Sequence, residues 1–135
     1  MRHKCKAHVR WNDLDAFGHV NNANYLTYVQ ESRADFTWWS RKRAGETPLL
    51  MDMVVARAEV DFLDPIYEGG FDLDVAIWVA KIGNSSFVNG YDVTKNGVVY
   101  AKMKTVQVAI DLTTRKSRPL NDEERAFLNK FLENN

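Results

Sequence analysis

The sequence has little cysteine, little proline and no excess of either charge. Its 135 residues include one cysteine, Cys5, and three prolines, and 18 lysines and arginines balance 18 aspartates and glutamates. A single cysteine excludes an intrachain disulfide and a metal site built from several cysteines. The balanced charge argues against a general binder of nucleic acid or of anionic membranes, because such proteins normally carry a basic surplus.

Long apolar runs are also absent. No stretch approaches the roughly 18 consecutive apolar residues that a membrane-spanning helix needs. The opening residues Met-Arg-His-Lys-Cys-Lys lack the apolar segment of a signal peptide. An apolar fraction of 45% and an aromatic fraction of 12% nevertheless suffice for a packed core. These features predict a single cytoplasmic globular domain over residues 1–135.

The spacing of the apolar residues predicts the order of the secondary structure. Alternation over residues 4–11 predicts a first strand, whose apolar face comprises Cys5, Ala7, Val9 and Trp11. Residues 22–44 contain no Pro or Gly and predict a long helix, with a stripe formed by Tyr25, Val29, Ser32, Phe36 and Trp39. Four alternating segments follow between residues 54 and 111, and Asn96-Gly97 is typical of a hairpin turn. A short helix then begins after Asn121, with Glu124 completing a capping box.

This order of elements favours an α+β domain. One long helix beside about five strands in antiparallel sequence is typical of that class. Because the helix carries more apolar surface than one stripe requires, we expect the sheet to curl around it.

The segment Arg10–Tyr25 concentrates polar side chains between the first strand and the long helix. It contains two carboxylates, one imidazole and four amides. In one interpretation these groups only cap the helix and form turns, as Asp and Asn commonly do. In a second interpretation Asp13, Asp15 and His19 bind a divalent ion, although no further cluster of His or Cys completes the ligand shell.

A third interpretation of the same segment is acyl chemistry. Free backbone N–H groups in the first turn of a helix can polarise a carbonyl oxygen and stabilise the negative charge that develops during attack. A carboxylate just before the helix can attack the same carbonyl carbon or deprotonate a water molecule that does so. Asp15 is the better candidate, since Asp13 can instead anchor the turn or pair with Arg10.

The same segment resembles the hotdog-fold thioesterases of the 4-hydroxybenzoyl-CoA thioesterase type. The shared pattern is Asp-x-x-Gly-His-Val-Asn-Asn-x-x-Tyr, which here runs from Asp15 to Tyr25. The segments Val60–Gly70 and Gly83–Phe87 also resemble that family, except that Gly70 stands where its members usually carry Asp. The resemblance implies a hotdog fold, in which a five-stranded antiparallel sheet wraps around one long central helix and a short C-terminal helix follows.

The resemblance also implies an activity and a set of site residues. The expected activity is hydrolysis of an acyl-CoA thioester by a homodimer or homotetramer, without a metal or an organic cofactor. Asp15 is expected to be the nucleophile or general base, and the backbone N–H of Asn22 is expected to bind the oxyanion. The implied catalytic residues are Asp15, Gly18, His19 and Asn22, and the implied substrate-binding residues are Asn21, Tyr25, Ser85 and Ser86. A thioesterase acting on acyl carrier protein and a non-catalytic acyl-thioester-binding protein remain alternatives.

Overall fold

Five strands form one antiparallel sheet in the computed structural model, which describes residues 1–133. The strands are β1 (His3–Val9), β2 (Met53–Phe62), β3 (Phe71–Ile82), β4 (Ser86–Lys95) and β5 (Val98–Ala109). Their order across the sheet is β1-β3-β4-β5-β2, so β1 and β2 form its two edges. The expected five-stranded antiparallel sheet is therefore confirmed.

The central helix runs without interruption from Asn22 to Arg43. It consists of α1 (Asn22–Ala34), a π-helical turn (Asp35–Trp39) and α2 (Ser40–Arg43). The helix predicted over residues 22–44 is thus confirmed, but the sequence does not predict the π-helical turn. Because that turn holds more residues than an α-helical one, it rotates the residues that follow it. Trp39 consequently leaves the buried stripe and is 52% exposed, which corrects its expected place in the core.

The core lies between the central helix and the concave face of the sheet. The helix packs mainly over β1 and β3, and burial of each Val, Leu, Ile or Phe side chain stabilises the fold by roughly 1.5–3 kcal/mol. The inward residues of β3 are fully buried, namely Leu73, Val75, Ile77 and Val79. By contrast, β2 remains uncovered, because all its residues except Met53 and Val60 are exposed.

Two short sequence patterns in the second half of the chain correctly predict the local structure. Asn96 and Gly97 have φ angles of 48° and 82°, as a type I′ hairpin turn between β4 and β5 requires. The C-terminal helix α3 (Asp122–Lys130) begins with the predicted capping box between Asn121 and Glu124. No helix among residues 1–133 combines the length and the apolar character needed to cross a membrane.

The first strand is shorter than the alternation predicted. It ends at Val9, and Trp11–Asp13 form a 3₁₀ helix. The Asp13 carboxylate accepts a hydrogen bond from the backbone N–H of Arg10, and this bond turns the chain away from the sheet. Trp11 is consequently 87% exposed, so its predicted place on the apolar face is wrong.

Candidate active site

A tight turn lies between β1 and the central helix and carries Asp15. Leu14 and Val20 pair as an isolated antiparallel bridge, and the backbone N–H of Asp15 donates to the carbonyl oxygen of His19 at 3.0 Å. Gly18 closes the turn with φ 81°, a conformation that glycine adopts without steric cost. A Cβ added at Gly18 would have no heavy atom of the described residues within 4 Å, apart from those of Gly18 and its two chain neighbours. Glycine is therefore required here for backbone conformation and not for close approach of this chain.

Asp15 is held beside the start of the helix by two hydrogen bonds. One carboxylate oxygen accepts from the backbone N–H of Phe17 at 2.9 Å, and the other accepts from Asn21 Nδ2 at 3.2 Å. The same Asn21 side chain accepts from the backbone N–H of Ala23 at 3.0 Å and so caps the helix. One amide thus links the carboxylate to the first helical turn. The Asp15 side chain remains half-buried, so a small molecule can approach it.

The first helical turn offers a free donor next to this carboxylate. Asn22 is the first residue of α1 and is exposed, and among the described residues no acceptor bonds its backbone N–H. The first N–H groups of a helix have no intrahelical partner and carry the positive end of the helix dipole. A carbonyl oxygen placed at this donor would be polarised there. The backbone N–H that the sequence predicts to bind the oxyanion is therefore free among the described residues.

Asp13 has a different environment, although it lies only two residues away. Its side chain is 1% exposed and accepts hydrogen bonds from the Arg10 side chain at 2.8 and 3.0 Å and from the Tyr28 hydroxyl at 2.7 Å. Burial would raise the pKa of the Asp13 carboxyl, but these bonds outweigh it and hold the pKa below its ordinary value. Burial and the Asp13 charge together raise the pKa of Tyr28. Asp13 therefore both anchors the turn and pairs with Arg10, as the sequence predicts.

His19 lies in the turn without contacting the Asp15 carboxylate. Its Nδ1 is 3.2 Å from the carbonyl oxygen of Val20, and its ring stacks on Phe17 with a centroid distance of 6.3 Å. The carboxylates of Asp13 and Asp15 are directed to separate hydrogen-bond donors. The three residues of the metal interpretation therefore do not form a common ligand set among residues 1–133.

The other predicted substrate-binding residues are either buried or lie away from this turn. Tyr25 is 3% exposed and packs its ring against Tyr28 and Phe62. Ser85 and Ser86 lie beyond the other end of β3, because Val9 pairs with Phe71 at its start and Phe87 pairs with Ile82 at its finish. Eleven steps of about 3.3 Å separate the two ends of β3, or roughly 36 Å. Within one chain, Asp15 and the two serines cannot contact the same thioester.

Sequence reasoning did not single out the exposed aromatic side chains around the turn. Trp11, Phe17 and Tyr67 are 87%, 85% and 67% exposed. Monomeric proteins rarely present such apolar area in one region, which instead indicates a surface that binds a ligand or another chain. An alternating pattern assigns Trp11 to the core and gives no signal for Phe17 or Tyr67, so the sequence alone could not have revealed this surface.

Similar proteins share both the sequence pattern and the fold. The sequence pattern of the thioesterase-like superfamily matches residues 9–130. The 1,4-dihydroxy-2-naphthoyl-CoA hydrolase of Nostoc punctiforme is 34% identical over 117 residues, which cover 85% of this chain and 78% of that protein. The long-chain acyl-CoA thioesterase FadM of Escherichia coli K12 is 28% identical over 126 residues, with coverages of 92% and 95%. A crystal structure of a Thermus thermophilus thioesterase complexed with coenzyme A and Zn superposes with a TM-score of 0.77 at 30% identity, covering 95% of this chain and 92% of that one.

Proposed function

The chain belongs to the thioesterase-like superfamily and is a thioester hydrolase, and from this premise we propose that Asp15 carries the hydrolysis of an acyl-CoA. The observation that supports Asp15 most directly is its link through Asn21 to the start of the central helix. This link holds a half-buried carboxylate next to the free N–H of Asn22. Asp13, by contrast, is buried and paired with the Arg10 guanidinium and the Tyr28 hydroxyl.

In the proposed mechanism the thioester carbonyl oxygen accepts a hydrogen bond from the Asn22 N–H. Donors of this kind stabilise the charge of the tetrahedral intermediate, and each typically contributes about 10²–10³ in rate. Asp15 either deprotonates a water molecule that attacks the carbonyl carbon or attacks that carbon itself. When Asp15 acts as the base, the carbon–sulfur bond breaks and coenzyme A leaves with the proton that Asp15 took from water. When Asp15 attacks, coenzyme A leaves from an acyl–Asp15 anhydride, and a water molecule then hydrolyses this anhydride, releasing the acid and supplying the proton of the thiol. No metal or organic cofactor takes part in these steps, and coenzyme A enters only with the substrate.

We further propose that the active unit is a homodimer, which can double to a homotetramer. The edge strand β2 has exposed apolar residues, including Val54, Val55 and Phe62, and an unpaired backbone edge. Natural proteins protect such an edge, and pairing with a second copy is one way to do so.

Pairing two copies of β2 antiparallel would also complete the site. The Met53 end of β2 lies beside Ala109, whose N–H donates to the Ser85 carbonyl oxygen, whereas the Phe62 end lies beside Tyr25 near the catalytic turn. Antiparallel pairing of two β2 strands brings the Met53 end of one strand next to the Phe62 end of the other. Ser85 and Ser86 of one protomer would then line the pantetheine channel that leads to Asp15 of its partner.

The test of the catalytic role is the Asp15→Asn variant. Asn keeps the size of the side chain but removes the base, so we expect kcat to fall by about 10²–10⁴ while KM changes little. Asp111→Asn is the matched control, because the exposed Asp111 carboxylate also accepts a backbone N–H two residues ahead, from Thr113. That variant removes the same charge from a similar turn and should keep wild-type turnover. Turnover is measured as release of free coenzyme A from a panel of short-chain, long-chain and aryl acyl-CoAs.

The same measurement separates the alternative functions. Faster hydrolysis of acyl carrier protein thioesters than of every acyl-CoA would favour the carrier protein as the natural leaving group. Binding of acyl-CoA without any turnover would favour a non-catalytic protein. Wild-type turnover in Asp15→Asn would refute the role of this carboxylate, since Asn and Asp are nearly equivalent in capping a helix.

A further inference from the structure

Three side chains with different donor atoms converge where β1 passes beneath the central helix. His3 and Cys5 are two residues apart and therefore point to the same face of β1, and Asp35 begins the π-helical turn above them. His3 Nε2 lies 2.8 Å from Asp35 Oδ2, and one ligand atom from each of the three residues lies within 4.8 Å of the others. This cluster is a separate feature from the catalytic turn.

We propose that His3, Cys5 and Asp35 bind one Zn²⁺ ion. Zinc takes nitrogen, sulfur and oxygen donors at about 2.0–2.3 Å, in a tetrahedral arrangement that can leave one position for water. A mixed set that includes a thiolate favours zinc over the harder ions Mg²⁺ and Ca²⁺. When zinc enters, the thiol of Cys5 loses its proton to solvent as the zinc–sulfur bond forms, and the hydrogen bond between His3 and Asp35 is replaced by two bonds to the metal.

Charges of both signs surround the cluster, because Glu31 lines the adjoining cavity together with Lys4, Lys6 and Arg43. The Cys5 thiolate and the Asp35 carboxylate together would neutralise the ion. Arg43 binds the other oxygen of Asp35 at 2.7 Å, and in metal sites such outer contacts hold a ligating carboxylate in orientation.

The cluster is also accessible from solvent. A cavity of about 330 Å³ is lined by two of the proposed ligands, Cys5 and Asp35, together with Lys4, Lys6, Glu31, Trp39 and Arg43. This cavity gives an ion a path of entry and leaves room for a water molecule at the fourth position. In addition, π-helical turns within α-helices occur frequently at functional sites, and this one begins at a proposed ligand.

The proposed site is remote from the reacting thioester. Asp35 lies 13 residues after Asn22 in the helix, which corresponds to roughly 20 Å along its axis. Zinc at this point would link the edge strand β1 to the central helix and would stabilise the fold without touching the substrate. Removal of the ion should therefore change thermal stability and leave turnover unchanged.

Metal titration of the full-length protein, after exposure to a chelator and its removal, tests the proposal. We expect one Zn²⁺ per chain in competition with a chromophoric chelator. Co²⁺ should bind in its place with a thiolate-to-cobalt absorption band in the near ultraviolet. Cys5→Ser should abolish that band, and Asp35→Asn should weaken zinc binding at least tenfold. His8→Gln is the matched control, because His8 lies on the opposite face of the same strand and pairs with Asp72, so this variant should bind zinc as wild type does.

Several outcomes would overturn the proposal. They are failure of the wild-type protein to bind zinc stoichiometrically, a cobalt–thiolate band that survives in Cys5→Ser, and loss of zinc binding in His8→Gln. If circular dichroism reveals that Cys5→Ser is unfolded, His3→Gln provides the same comparison. Addition of zinc should raise the Tm of the wild-type protein but not that of Asp35→Asn, and EDTA should leave coenzyme A release unchanged.

Discussion

Two aspartates of the catalytic turn have opposite environments, although two positions separate them. Asp13 is almost fully buried, and Arg10 and Tyr28 donate to its oxygens. Asp15 is half-buried and receives only a backbone N–H and the Asn21 amide. The Asp13 carboxylate holds the turn together through an ion pair and buried hydrogen bonds, whereas the Asp15 carboxylate remains partly exposed to solvent.

Replacement of Asp13 should therefore affect stability more than chemistry. Asp13→Asn leaves the Arg10 charge and the Tyr28 hydroxyl without an anionic acceptor, so we expect a loss of about 3 kcal/mol in the free energy of unfolding. The folded fraction should retain most of its kcat. Chemical denaturation of Asp13→Asn and Asp15→Asn side by side measures the difference, and an equal loss of stability in the two variants would contradict it.

The same carboxylate predicts a specific response to acid. The fold lowers the pKa of Asp13 from its ordinary value of 3.8, so its stabilising contribution is fully present above that value. The contribution is lost as pH falls through the lower pKa of the folded state. Asp13→Asn should consequently flatten the loss of stability below about pH 4, which denaturation of both proteins across a pH series measures.

The sequence distinguishes these two carboxylates only in part. The position of Asp15 before the helix and the possibility of a pair between Asp13 and Arg10 both follow from short sequence separations. The hydrogen bond from Tyr28 and the burial of Asp13 depend on how the first helical turns pack against the loop. Such packing arises from contacts across the fold and leaves no local pattern in the sequence.

At the scale of single elements, the residue that caps the central helix also contacts the proposed catalytic carboxylate. Asn21 stabilises the helix start through the Ala23 N–H and also donates to Asp15. The cap of α3 performs only the first of these tasks, because Asn121 accepts from Glu124 N–H and lies far from the catalytic turn in sequence and structure.

The two caps therefore form a matched pair of variants. Asn21→Ala and Asn121→Ala should each reduce the free energy of unfolding by about 1 kcal/mol, the usual contribution of a cap. Only Asn21→Ala should also lower kcat, because it releases the Asp15 carboxylate. Comparable losses of kcat in both variants, measured at a temperature where both are folded, would indicate a general effect of helix fraying.

Elements that depend on local signals were the ones predicted correctly. The alternation in β3, the Asn96-Gly97 turn and the capping box of α3 each require residues within a few positions of one another. The π-helical turn does not follow from such patterns, and the alternation missed the early end of β1 although Arg10 and Asp13 are only three positions apart. At Asp35 the helix contacts His3, 32 residues away, and no periodicity in the sequence reports that contact.

Within residues 1–133, the sheet is left uncovered at its β2 edge. The central helix covers β1 and β3, while β2 exposes Val55 at 47% and Phe62 at 50%. An edge strand of this kind is a site for pairing with another chain. The exposed edge and the separation of Asp15 from Ser85 lead to the same expectation, which is assembly of at least two copies.

We accordingly expect a particle mass of at least twice the 15.5 kDa of the single chain. Sedimentation or light scattering at micromolar concentration measures this mass. Val55→Asp places a charge on the exposed apolar face of β2 and should shift the mass toward the monomer, with loss of turnover. A wild-type protein that is fully active at the mass of one chain would contradict the proposed dimer.

In the proposed dimer, the separation of Asp15 and Ser85 along β3 implies that subunit exchange can repair a damaged site. A chain carrying Asp15→Asn and a chain carrying Ser85→Trp, each inactive alone, form a mixed dimer in which one site bears both lesions and the other bears none. Random reassociation of equal amounts of the two variant proteins makes half of the dimers mixed, and each mixed dimer has one intact site of two. The mixture should therefore regain about a quarter of the wild-type activity.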